Sequence, residues 1–322
     1  MLSDIPVLVI LTNSGDATAD YLSDRLRREE IAFTRLDTDL LSDSLEVEYS
    51  DLRATLRIAG RRFAPEDISN VWFRRPREIV SSAGNDGAER SHTRAEWAEA
   101  LEGFLCQVPI EKWMNHPGHN VMASHKIEQL TRASRAGLRI PDTIVTQSSE
   151  AFHAFWEKCC GRVVVKPLAS GFLERATPEQ DTNIYTSQVA LEDISLINLL
   201  KHCPTLCQQL VDKEADVRVI VVDGDIHSVS LVARESNGTQ RLDVRRDNMR
   251  DVFYTSVNPP SSVQTALLAL IESYKLRFAA IDFGINNAGE WFFFEINPNG
   301  QWAWLDLAGA SDIATSFIKA FR

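Results

Sequence analysis

The sharpest contrast between hydrophobic and polar positions lies near the C-terminal end of the chain. Two apolar runs, 278–283 and 291–296, flank Asn286-Asn287-Ala288-Gly289, where consecutive Asn residues and a Gly supply the backbone conformations of a hairpin turn. The pattern predicts a β-hairpin. Its strands carry Asp282, Glu295 and Asn297 inside otherwise apolar sequence, where an unpaired carboxylate is costly to bury. Residues 295 and 297 are two apart and face the same side of an extended strand, and the turn brings Asp282 within reach of them. Three hard oxygen donors on one sheet face suit Mg²⁺, which takes carboxylate and carbonyl oxygens and keeps substrate phosphate in its shell. The alternative is a buried acid pair matched by Lys or Arg from elsewhere in the chain.

The remaining pattern predicts alternating strands and helices. A strand at 7–11 leads through Asn13-Ser14-Gly15-Asp16 into a helix at 17–30 and a strand at 32–36, a βαβ opening without a dinucleotide or P-loop glycine pattern. Residues 45–63 read as two short strands turning at Ala59-Gly60-Arg61. Val71-Trp72-Phe73 is a further strand, ending in Arg74-Arg75-Pro76, where two arginines either grip a phosphate or carboxylate or are simply solvated. A polar loop over 81–90 precedes a helix at 94–107, and a turn-rich junction follows at 113–118. Residues 120–136 read as one helix, closed by Gly137, with Lys126 near its start. A strand at 140–146, a helix at 149–158 and a strand at 162–166 come next. The last of these ends in Lys166 and a small-residue loop, 168–172, able to close over phosphates through backbone N–H groups. Residues 191–202 read as a helix with Glu192 and Asp193 in its first turn, which suits the helix dipole without further role. An apolar strand, a charged loop and a strand beginning Asp216-Val217-Arg218 fill 206–224. Strands at 226–234 and 240–246, joined at Ser236-Asn237-Gly238, read as a second hairpin carrying Arg234, Arg241, Arg245 and Arg246. Helices at 263–274 and 311–321 complete the chain.

A length of 322 residues exceeds the usual single domain, so two or three lobes sharing a cleft are expected. The net charge of −11 argues against a nucleic-acid partner and against an anionic membrane surface. Five cysteines without a paired C-x-x-C set argue against a zinc site or a disulfide framework and for buried, reduced thiols. The apolar run 5–11 follows Asp4 and lacks the basic flank and length of a signal peptide, and no later run approaches a membrane span. A cytoplasmic protein is expected.

The Asp-x-Gly, the turn and the Phe-Glu-Ile-Asn-Pro-Asn-Gly that follows resemble the nucleotide site of the ATP-grasp ligases, and the continuation through Gln301-Trp302-Ala303-Trp304-Leu305 resembles the graspetide (microviridin-type) synthetases among them. The resemblance implies an α/β (α+β) ATP-grasp fold with three parts. They are an N-terminal pre-ATP-grasp βαβ domain at 1–118, a central lobe with its lid at 119–205 and a C-terminal catalytic lobe at 206–322. It implies ATP and Mg²⁺, with Asp282, Glu295 and Asn297 on the metal and Lys126 and Lys166 on the phosphates. Gln209, Leu210 and Val211 would pair with the adenine edge, and Asp212 or Glu214 would take the ribose. Asp216 joins this nucleotide set, its alternative being a cross-strand ion pair with Arg218. Arg234 and Arg245 match positions in the active centre, and Glu192 and Asp193 would contact a leader peptide. The implied reaction converts Asp or Glu side chains of a ribosomal precursor peptide into acyl phosphates, then into esters with Ser or Thr or amides with Lys. The family also implies a homodimer. Two other activities share part of this logic: ligation of a free amino acid to a small acid or a protein tail, and non-catalytic, nucleotide-gated peptide binding.

Overall fold

The computed structural model describes residues 7–40, 45–79, 87–169, 171–173, 177, 182–246 and 249–322, with the side chain of Met249 excepted. Residues 81–86 of the expected polar loop and Ser170 of the expected phosphate loop lie outside them. Strand β1 (Val7–Thr12) is buried along its whole length, as the interior strand of a parallel sheet must be. Helix α1 (Ala17–Arg28) starts at Asp16, whose carboxylate accepts the N–H groups of Thr18 and Ala19. Strand β2 (Phe33–Asp37) then returns parallel to β1.

Three antiparallel strands follow, β3 (Leu45–Ser50), β4 (Arg53–Ile58) and β5 (Arg61–Phe63), where two were predicted. The extra turn sits at Asp51-Leu52, whose φ angles are 49° and 61°, a conformation that Leu does not advertise. Strand β6 (Ile68–Phe73), helix α2 (Gly87–Leu105) and strand β7 (Trp113–Met114) complete a parallel sheet of order β2-β1-β6-β7.

The helix predicted over 120–136 is two helices, α3 (Pro117–Ala123) and α4 (Lys126–Arg135). The imidazole of His116 caps the first through the Gly118 N–H, and Pro117 occupies its first turn. The break at Ser124-His125 puts Lys126 at the head of the second helix. Strand β8 (Thr143–Thr146), helix α5 (Ser149–Lys158) and strand β9 (Val163–Lys166) come next. The two-residue strands β10 (Phe172–Leu173) and β11 (Thr182–Asn183) pair with each other. With β12 (Ser187–Gln188) and β13 (Thr205–Gln209), the second sheet has the order β12-β9-β13-β8. Between them the predicted helix forms as a 3₁₀ helix, Glu192–His202.

The third sheet is antiparallel throughout, in the order β16-β15-β14-β17-β18. Its strands are β14 (Lys213–Val222), β15 (Asp225–Val232), β16 (Phe253–Ser256), β17 (Phe278–Asn286) and β18 (Trp291–Asn297). The strand predicted over 240–246 does not form: β15 spends that edge on β16, and the intended hairpin is reduced to one bridge, Arg234 to Gln240. One face of the sheet packs Val217, Val219, Ile281 and Phe293 on Leu267 and Leu270 of helix α6 (Ser261–Ser273). On the other face, Ile220, Val222, Phe278 and Ala280 meet Leu8, Ile10 and Trp72 of the parallel sheet. Helices α7 (Ala303–Leu307) and α8 (Ile313–Phe321) close this second core. At its centre Trp302 stacks on Phe317 at 4.9 Å, and Phe317 meets Trp72 at 5.2 Å. The parallel sheet and the site-bearing sheet therefore share one hydrophobic interior.

Among the described residues, no helix is long and apolar enough to cross a membrane. Cys159 and Cys207 are buried, but Cys106, Cys160 and Cys203 are exposed, against the expectation of uniformly buried thiols.

Candidate functional site

The predicted hairpin forms, and one irregularity decides its chemistry. Asp282 pairs with Glu295 across the strands, while Phe283 pairs with Phe293, leaving Phe294 as an extra residue. Before this bulge the buried positions of β18 are Trp291 and Phe293; after it the buried position is Ile296. The insertion shifts the alternation by one, so Phe294 and Glu295 both face the cleft. Gly284 makes room for it, since a Cβ there would lie 2.8 Å from the Phe294 ring.

The Phe294 ring is the platform under Lys166, whose Nζ lies 4.2 Å from the ring centroid. Lys126 Nζ lies 3.3 Å from Glu295 Oε2 and donates to the Pro167 carbonyl at 2.7 Å. The structure thus brings both predicted lysines to the predicted acid. Burial pushes the Glu295 carboxyl up, but Lys126, Lys166 and Arg218 outweigh it and hold it below the ordinary value. Burial raises Asp282 to about 6 against the pull of Arg218, and the neighbouring Glu295 charge adds to the rise. Burial depresses the Lys166 ammonium to about 8, although Glu295 opposes this. Two acids held side by side at such a cost, facing two lysines, are poised for a cation on one side and phosphate on the other. Asn297 shares their face, and its Oδ1 already accepts the Asn299 N–H at 2.9 Å, leaving that oxygen one further acceptor position. Two carboxylates and an amide oxygen fit Mg²⁺ with phosphate oxygens completing the shell. Among the described residues, no cluster of three or more His, Cys, Asp and Glu exists that would hold a metal by itself.

The other predicted residues divide into two groups. Arg245 is gripped by Asp243, through Nε at 2.9 Å and Nη2 at 2.7 Å; this pairing raises its pKa, and it lies within the fields of Asp282 and Glu295. Arg234 is exposed and pairs with Glu214 at 3.0 Å, so two residues assigned separate roles hold each other. Asp212 pairs with Arg162 on the surface. Gln209 ends β13, and the Leu210 N–H donates to the Arg162 carbonyl at 2.9 Å, which fixes the 209–211 link between the second and third sheets. Asp216 does not pair with Arg218: it accepts Lys213 Nζ at 2.6 Å and Gln240 Nε2 at 3.0 Å. Lys213 also donates to the Leu242 carbonyl at 2.9 Å, so this group pins 240–246 beside the sheet without a strand. Glu192 and Asp193 head the 3₁₀ helix, exposed, and Asp193 accepts the Ala190 N–H at 2.8 Å, a capping contact.

Three positioning groups were missed. Arg218 sits opposite Asp282 in the sheet, with its Nε 3.2 Å from Oδ1. Gln129 of α4 donates to the Ile296 carbonyl at 2.9 Å and accepts the Ile296 N–H at 3.1 Å, locking the helix headed by Lys126 to the strand of Glu295. Asn115 donates to the carbonyls of Phe278 and Pro298 at 2.8 and 3.2 Å and accepts the N–H groups of Arg277 and Phe278. The Asp-x-Arg spacing could have signalled Arg218, which shares the cleft face with Asp216. Single amides carry no such signal.

Residues 170–312 match a family model of the ATP-grasp domain. No curated protein matches the chain in sequence. Among solved structures, the chain resembles macrocyclase MdnC from Microcystis aeruginosa MRC, solved bound with precursor peptide MdnA. The TM-score is 0.81 at 22% identity, covering 98% of this chain and 99% of that one. It also resembles the Chryseobacterium gregarium RiPP-associated ATP-grasp ligase, solved with ADP and a leader and core peptide. There the TM-score is 0.81 at 22% identity, over 98% of this chain and 96% of that one. Macrocyclase MdnB from Microcystis aeruginosa MRC gives a TM-score of 0.75 at 25% identity, over 98% of both chains. The chain has the ATP-grasp fold, as the resemblance implied.

Proposed function

We propose that this ATP-grasp chain is an ATP-dependent peptide macrocyclase that joins Asp or Glu side chains of a ribosomal precursor peptide to Ser or Thr hydroxyls or Lys amines within the same peptide. The observation that carries the reading is the bulged Asp282–Glu295 pair facing Lys126 and Lys166, in a chain that matches precursor-bound macrocyclases over nearly its whole length.

A carboxylate is a poor electrophile. Its oxygen attacks the γ-phosphorus of ATP, ADP leaves, and the resulting acyl phosphate is attacked by the hydroxyl or amine, which loses its proton as phosphate departs. Such a transfer needs alignment and charge neutralisation more than covalent help. Lys126 and Lys166 neutralise phosphate oxygens, and Arg245, braced by Asp243, steadies the anionic acyl group. Asp282, Glu295 and Asn297 would hold Mg²⁺, which supplies charge neutralisation at the β- and γ-phosphates. The 209–211 link offers backbone to the adenine edge, and Asp212 or Glu214 takes the ribose after releasing its arginine. Arg234 serves the centre only by leaving Glu214. Asp216 acts through Lys213 and Gln240, as a brace of the cleft wall. Glu192 and Asp193, exposed on the 3₁₀ helix, contact the leader, and the lobes follow the division 1–118, 119–205 and 206–322.

The test is intact mass spectrometry of a precursor peptide, encoded beside the gene, after incubation with the protein, ATP and Mg²⁺. Each ring removes one water from the peptide. An unchanged peptide mass with ATP consumed overturns the macrocyclase reading in favour of ligation to a separate small molecule.

A further inference from the structure

Helix α3 is closed by one residue. Its first position is Pro117, which has no N–H, so the donors of Gly118, His119 and Asn120 are the ones that need partners in the first turn. The N–H groups of His119 and Asn120 reach the His116 carbonyl at 3.0 and 3.1 Å, and the Gly118 N–H reaches His116 Nδ1 at 3.2 Å. All three end on His116. Asp, Asn, Ser and Thr cap helices with an oxygen that accepts near neutral pH whatever the proton supply, whereas an imidazole accepts only while it is neutral. Nδ1 therefore carries the lone pair, and the ring proton sits on Nε2.

The helix so closed holds both flanks of the acid strand. Asn120 is buried; it accepts Asn115 Nδ2 at 3.1 Å and turns its own Nδ2 to Asn299 Oδ1 at 3.5 Å, in the loop that leaves β18. Arg74 grips the same loop from the end of β6, donating to the Asn299 carbonyl and, at 2.7 Å, to Gln301 Oε1. At the other end of α3 the Ala123 carbonyl accepts Gln129 Nε2 at 2.6 Å, and Gln129 is the residue that locks α4 to Ile296. Glu295 and Asn297 stand where these two holds meet.

We propose that His116 is an acid-sensitive latch: its neutral imidazole keeps α3 closed, and protonation at Nδ1 opens the helix and slackens both holds on the acid strand. A proton on Nδ1 removes the acceptor of the Gly118 N–H and sets two donors face to face. It also places a cation at the positive end of the helix. From α3 the ionisable group that faces His116 is His119, with ring centroids 5.4 Å apart; from β7 the ring meets Trp113 at 5.2 Å, which carries no charge. Partial burial and then His119 hold the His116 pKa below the ordinary 6.5. Once the helix opens, the imidazole takes up its proton near 6.5, so the closed form is favoured above that value and loses ground as the pH falls below it. The latch operates whatever the substrate.

The experiment is amide hydrogen exchange of the full, ligand-free chain, read by mass spectrometry over residues 117–124 and corrected for the intrinsic pH dependence of exchange. Protection there should fall about threefold or more between about pH 7.5 and 5.5 in the wild-type protein, while that of β1 holds. His116→Asn, which caps through an oxygen that does not titrate, should change by less than about 1.5-fold over the same range. His116→Ala should be poorly protected throughout. Asp282 titrates in this range too, but it is present in every variant, so the difference between wild type and His116→Asn isolates the imidazole. Thermal melting at the higher pH reports folding, and His116→Asp takes the place of His116→Asn if the latter does not fold. Wild-type protection that is flat with pH overturns the proposal, as does a fall of equal size in folded His116→Asn, a fall shared by β1, or full protection in His116→Ala.

Discussion

The two segments that read as hairpins, 278–297 and 226–246, met different fates, and the contrast shows what makes a hairpin obligatory. In β17–β18 the apolar positions of both strands are taken up by the cores on the two sheet faces, chiefly the one formed with α6, and the turn between them is built from Asn and Gly. After β15 only one apolar strand exists. Its free edge can be used once, and Phe253–Ser256 takes it, while 240–246 is tethered by Lys213, Asp216 and Gln240. The first segment became a rigid carrier of acids. The second became a side-chain-pinned arm that presents Arg245 to them.

Four changes would break or sharpen that contrast. Inserting one residue between Asp282 and Phe283 should have the largest effect, because it gives Phe294 a partner, removes the bulge and returns Glu295 to the core face. We expect the affinity for Mg²⁺ and ADP, measured by titration calorimetry, to fall by on the order of a hundredfold or more, with a broadened melting transition. Glu295→Gln keeps the face and removes the charge; turnover should fall on the order of 10²–10³-fold in single-turnover peptide assays, while the circular dichroism spectrum is retained. In the pinned arm, Arg245→Gln should cost about tenfold in turnover and Arg234→Gln less than about twofold, since Asp243 aims the first at the acids and Glu214 holds the second at the surface. Equal losses would show that the arm is not held as described.

Intermediate between these two arm effects is a pH dependence. Lys166 has a pKa of about 8 in the ligand-free fold, below the 10.5 of an exposed lysine. Bound phosphate favours its charged form, so affinity for Mg²⁺ and ADP should weaken about threefold or more between about pH 7.5 and 9, and Lys166→Arg should flatten that slope. The unfolded chain holds the extra proton between the two values. This group therefore favours the ligand-free fold progressively as pH rises from about 8 towards 10.5. A wild-type slope unchanged in Lys166→Arg would assign the titration to another group.

Much of this centre was legible because its residues violate local expectation. Asp282, Glu295 and Asn297 stand out as polar groups inside apolar strands, and Lys166 stands out at the end of one. The bulge was not legible: Phe294 is one aromatic in a run of four, and its status as the extra residue exists only in register with β17. The break between α3 and α4 was hidden because Ser124-His125 is compatible with helix, and the contact that favours breaking it, Lys126 to the Pro167 carbonyl, spans 41 residues. Arg218 was read with Asp216, its neighbour along the strand, whereas the sheet hands it to Asp282 across the strands.

The clamp between Arg74 and the loop that follows Asn297 has a consequence for modularity. The segment that matches the ATP-grasp family model begins at residue 170. Arg74, Asn115, Lys126 and Gln129, which tie down the loop, the sheet and the acid strand, all precede it. A chimera joined at that boundary would inherit the acid pair without the frame that aims it. Recombination among relatives should therefore succeed only where the N-terminal strand bearing Arg74 travels with the Asn-Pro-Asn-Gly-Gln loop it grips.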